Sequence, residues 1–144
     1  MLKDTGDFIA ARALAVQLAS QQPQDVRALM AAAYACDRLG YEAEAVVYYD
    51  RAWAVGVPGD QRVGFLVGYG STLRNVGRVP DSIQRLQEGL ADYPQSTALR
   101  AFLALALHSN GQPSAAMASL LYAALRAASE DGFEGYDRAL RSYA

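Results

Sequence analysis

Four glycines, Gly6, Gly40, Gly77 and Gly111, follow one another at intervals of 34, 37 and 34 residues. Apolar residues recur at helical spacing between them, so each glycine reads as a turn between two helices. The clearest such hairpin runs from Leu66 to Pro94. Leu66, Tyr69, Gly70 and Leu73 form the stripe of its first helix, and Gly77 ends that helix. Pro80 suits the first turn of the second helix, where its missing N–H is not needed. Ser82, Ile83, Leu86 and Leu90 form the second stripe, and Pro94 stops it. Gly70, Ser82 and Gly89 carry almost no side chain, which lets the two helices approach closely. The rest of the chain reads as looser copies of this unit, and the expected fold class is all-α.

Offsets from the glycines repeat. Five residues on stand Ala11, Ala45, Ser82 and Ala116, all small. Twelve residues on stand Leu18, Ala52, Gly89 and Ala123, and nine on stand Ala15, Tyr49, Leu86 and Leu120. Pro23 and Pro94 fall seventeen on, Pro58 is displaced by one, and Ala128 stands there in the last unit. The three surplus residues of the middle interval are assigned to the loop Gly56–Gln61, where an insertion costs little.

A helix–turn–helix repeating at this period resembles the tetratricopeptide repeat family, over nearly the whole chain from Gly6 to about Ala128. The stretches GYGSTLRNVGR and ALRAFLALALHSNGQ are similar to a small bacterial group within it. The resemblance implies a right-handed α-α superhelix of about 3.5 stacked hairpins plus a C-terminal helix. Its expected divisions are a single repeat domain over 1–144, with a partial repeat 1–23, repeats 24–58, 59–94 and 95–128, and a closing helix 132–144. Helices are expected at about 7–21, 25–38, 41–55, 61–75, 80–92, 96–109, 113–128 and 133–143. Ser96 or Thr97 can cap the sixth, and Pro113 can begin the seventh. The last helix should put Phe133, Tyr136, Leu140 and Tyr143 on one face. Three departures stand out: Arg100 replaces a large apolar residue, Leu18 replaces a small one, and only Met1 to Thr5 precede Gly6.

Composition narrows the function. With 52% hydrophobic residues, the 144-residue chain can bury a core. Its formal net charge of −2 gives no reason to expect nucleic acid or an anionic membrane surface as partner. Charges cut every apolar run well short of the ~20 residues a membrane span needs, and no secretory signal is visible. A cytoplasmic protein is the expectation. One cysteine, Cys36, excludes an internal disulfide, and with one histidine, His108, it cannot build a multi-ligand zinc site. No cofactor is expected. Cys36 and His108 form the only Cys–His pair, but Cys36 falls on a packing stripe, where cysteine behaves as a small hydrophobe. Asp4, Asp7, Asp25, Asp60 and Asp81 stand near expected helix starts and suit capping better than acid–base work. GYGSTLRNVG follows no expected strand, so it is not a phosphate loop. No catalytic residue is assigned, and an enzyme is not expected.

The resemblance implies instead that the first helix of each unit lines a concave groove. Off-stripe residues there are Arg27, Met30, Tyr34, Asp37 and Arg38 in the second unit. Val67, Ser71, Arg74 and Asn75 follow in the third, and Ala101, Phe102, Leu105, His108 and Ser109 in the fourth. Arg38, Arg74, Asn75 and His108 should form a polar row near the turn ends. Met30, Tyr34, Val67, Phe102 and Leu105 should form an apolar floor. An extended peptide or helix with apolar and acidic groups would suit such a groove. The carboxylate clamp of chaperone-binding members is not reproduced, because Met30, Tyr34 and Val67 occupy its places. The expected function is a protein–protein scaffold or adaptor, and the alternative is a self-assembly module without a separate ligand. The second kind of role has its own signal. The stripe Phe8, Ala11, Leu14, Ala15 and Leu18 lacks part of its cover, so either two copies pair there as a homodimer or a preceding segment covers it.

Overall fold

The computed structural model describes residues 2–129 and 132–144. These residues form α1 (Leu2–Gln21), α2 (Val26–Arg38), α3 (Glu42–Val55), α4 (Gly59–Asn75), α5 (Val79–Asp92), α6 (Thr97–Ser109), α7 (Pro113–Ala127) and α8 (Asp137–Tyr143), with no strand among them. The all-α expectation holds.

Hairpins α2–α3, α4–α5 and α6–α7 stack in order. Helix α4 lies against both α2 and α3, and α6 lies against both α4 and α5. The three turns share one chemistry. Gly40, Gly77 and Gly111 take φ of +78°, +88° and +74°, where a side chain would be strained. The amide after each glycine then donates back to a helical carbonyl: Tyr41 to Cys36, Arg78 to Leu73 and Gln112 to Leu107, at 2.8–3.0 Å. These bonds satisfy carbonyls that the helix ends leave orphaned.

The small residues act as expected. Ala45 is fully buried. The Ser82 hydroxyl donates to the Gly70 carbonyl at 2.6 Å across the α4–α5 contact. A Cβ on Gly70 would stand 2.7 Å from Leu86, and one on Gly89 would stand 2.8 Å from Leu66. The core is continuous along the stack, and its largest fully buried side chains include Tyr49, Phe65, Leu66, Leu73, Leu86 and Leu99.

Four expectations are corrected. Gly6 makes no turn: α1 passes through it unbroken from Leu2, a glycine in a helix interior costing only about 1 kcal/mol. The three surplus residues do not all go into a loop. Only Gly56–Pro58 separates α3 from α4, and α4 is 17 residues long where α2 and α6 have 13 each. The surplus becomes an extra first turn, tied down by Tyr93, whose hydroxyl donates to the Gly59 carbonyl at 2.8 Å, and by Arg62, which donates to Val57 O at 3.0 Å. The last helix is shorter than expected. Glu134 and Gly135 take φ of 55° and 86°, which breaks the helical path and leaves Phe133 in a turn ahead of α8. Capping is also narrower than expected. Asp25 caps α2 by accepting from the amides of Arg27 and Ala28, and Ser96 caps α6 through the Leu99 amide. Asp60 and Asp81 lie in first turns without a cap bond, Asp7 lies inside α1, and the Asp4 side chain is outside the described residues.

Candidate interaction surfaces

Helices α2, α4 and α6 present the side chains expected to line an inner face. The structure divides them. Met30 is buried in the core, so it does not contribute to an accessible floor. Val67 and Phe102 are half-buried against the core, while Tyr34 and Leu105 are exposed. Arg27 is exposed at the start of α2, and Ser71 is half-buried midway along α4. Asp37 accepts a 2.9 Å hydrogen bond from the Tyr49 hydroxyl. Burial, helped by the Asp37 carboxylate, pushes that phenol well above its ordinary value near 10. Asn75 donates to Glu42 at 2.8 Å.

The expected polar row splits in the same way. Arg74 reaches Ser109 at 3.4 Å, which joins the C-terminal ends of α4 and α6 beside His108. Arg38 turns the other way, its guanidinium 5.0 Å from the centre of the Phe8 ring on α1. Two clefts result. Tyr34 and Arg38 line a small one of about 170 Å³ with Phe8, Ala11, Ala31 and Ala35. Leu105 and His108 line a larger one of about 630 Å³ between α6 and α7, with Ala101, Ala104, Pro113, Ala116, Met117 and Leu120.

The larger cleft is almost wholly apolar, and sequence reasoning missed its α7 wall. The signal was available. Leu120 stands nine residues after its turn glycine, where Tyr49 and Leu86 are buried in the preceding units. In those units the next hairpin supplies a covering helix, and among the described residues no helix covers α6–α7 in this way.

Cys36 is fully buried, and burial pushes its thiol up, away from the reactive thiolate. Its helix α2 does not touch α6, which carries His108. The pair is therefore not a nucleophile and its base. Among the described residues no helix is long and apolar enough to cross a membrane.

No curated protein matches the chain. The family model described as Tetratrico peptide repeat matches residues 26–144. With hairpins stacked in the described order and turn glycines in matching conformations, the chain belongs to the tetratricopeptide repeat family.

Proposed function

We propose that the chain is a non-enzymatic adaptor that holds an extended peptide or a helix of a partner protein along α2, α4 and α6. Membership of a family whose fold is generally a protein-interaction scaffold supports the general role. The observation that carries the finer reading is the exposure of Tyr34 and Leu105 at equivalent positions of α2 and α6, with Arg74 and His108 at the turn ends. Such a face suits a partner with apolar and acidic groups. The reading is of a cytoplasmic protein without cofactor, nucleic acid or membrane as partner. It takes the whole chain as one array, with a partial repeat over 1–23, repeats over 24–58, 59–94 and 95–128, and a closing helix over 132–144. A pull-down tests it: an Arg74→Glu, His108→Glu variant loses the partner, while an Arg126→Glu variant on α7 keeps it. Equal recovery from all three proteins would refute the inner-face reading.

A second reading is self-assembly without a separate ligand. Its support is α1, whose Phe8, Leu14 and Leu18 are exposed.

A further inference from the structure

We propose that the apolar cleft between α6 and α7 is the docking site for helix α1 of a second copy, so that copies associate head to tail. This pairing rests on the self-association reading, and it replaces two-fold pairing of like ends by contact between unlike ends.

The molecule itself shows what such a cleft takes. The wedge between α2 and α3 receives α4, and the wedge between α4 and α5 receives α6. Each incoming helix buries an apolar row spaced by four: Phe65, Tyr69 and Leu73 on α4, then Leu99, Leu103 and Leu107 on α6. Among the described residues the third wedge, between α6 and α7, has no such occupant. Its Met117 and Leu120 are 66% and 49% exposed, whereas Leu86, the counterpart of Leu120, is 0% exposed.

The helix that follows in the chain cannot take this place. At the interval that separates α4 from α6, the row Leu99, Leu103, Leu107 maps onto Phe133, Asp137 and Arg141. Two of the three are charged, and burying them against alanine and leucine without partners is costly. Helix α8 accordingly touches α7 and, among the described residues, not α6.

Helix α1 carries the missing row. Ala10, Leu14 and Leu18 have the same spacing of four, and all three are exposed, Leu14 at 58% and Leu18 at 40%. The lengths agree. Ala10 to Leu18 spans about 12 Å of helix, and the cleft walls Ala101–His108 and Pro113–Leu120 each run about 10 Å.

Light scattering on three proteins tests the proposal. The unmodified chain should show a mass that rises above the monomer with concentration. A Leu14→Glu, Leu18→Glu variant and a Met117→Glu, Leu120→Glu variant should each be monomeric. Mixed in equal amounts, the two variants should form a species of two chains and no larger, because each keeps one competent end. All four positions are exposed, and circular dichroism checks that both variants keep the helical fold. Should either fail, Leu14→Ser and Met117→Ser serve as milder replacements. A monomeric unmodified chain overturns both this pairing and the self-association reading. A Met117→Glu, Leu120→Glu variant that still associates overturns head-to-tail pairing alone. A mixture that stays monomeric overturns it too.

Discussion

At the scale of single residues, what matters most is where side chains are missing. Gly70 and Gly64 both lie inside α4, yet their surroundings are opposite. A Cβ at Gly70 meets three atoms of Leu86 within 3.0 Å, while one at Gly64 meets nothing within 4 Å. Gly70→Leu should therefore overpack the α4–α5 contact and cost roughly 1–3 kcal/mol. Gly64→Ala should stabilise by about 0.4–1 kcal/mol, because alanine restricts the unfolded chain without a clash. Thermal melts of the two variants should shift in opposite directions. An unchanged melting temperature for Gly70→Leu would mean that α4 and α5 do not pack as described. Gly70 was legible in the sequence because small residues, Ala33, Gly70 and Ala104, stand seven before the turn glycine in three units. Met30 was not, because a large apolar residue on a first helix suits floor and core equally until its neighbours are known.

At the scale of elements, helices are joined across the hairpin boundary by aromatic rings. Tyr49 of α3 stacks on Tyr69 of α4 at 5.4 Å and meets Phe65 edge-on at 5.3 Å. Both phenols are tied to carboxylates, Tyr49 to Asp37 and Tyr69 to Asp50. Burial raises each phenol above its ordinary value near 10, and the adjacent carboxylate adds to this. The folded state therefore holds these protons more tightly than the unfolded state. The resulting stability is fully present below about pH 10 and is lost as the pH rises above it. The melting temperature should fall between pH 10 and 11.5, and the fall should be shallower in a Tyr49→Phe, Tyr69→Phe variant. An equally steep fall in that variant would assign the alkaline loss to other groups. Element order and the three turns could be read from glycine spacing, since each turn requires a positive φ. The element ends could not. Nothing local distinguishes a three-residue loop insertion from an extra helical turn, and α4 chose the turn because Tyr93 and Arg62 hold it there. Gly135 marked the break before α8, but the apolar spacing of Phe133, Tyr136 and Leu140 outweighed it in the sequence.

Over the whole molecule, cover is uneven. Interior helices α4 and α6 each touch helices on both sides, whereas among the described residues α8 touches α7 alone and buries none of its own. In a stacked array, stability is close to a sum of unit and interface terms, so the ends open first. Amide hydrogen exchange should find the slowest amides in α4, α5 and α6, and amides of α8 exchanging faster by orders of magnitude. Uniform protection from α1 to α8 would contradict this gradient. The groove expected from the sequence is a property of this larger scale. Its residues were named from one register, but that register does not reveal that Arg38 turns to α1 while Arg74 turns to α6.

The order in which helices touch also bears on synthesis. Among the described residues no helix meets one more than two places along the chain, and the widest side-chain hydrogen bond, Arg74 to Ser109, spans 35 residues. Each hairpin can therefore close on what has already been made, without waiting for the carboxyl end. A chain of this topology has little to search for and folds quickly. As it leaves the ribosome, the α4–α5 wedge is complete before α6 arrives to fill it.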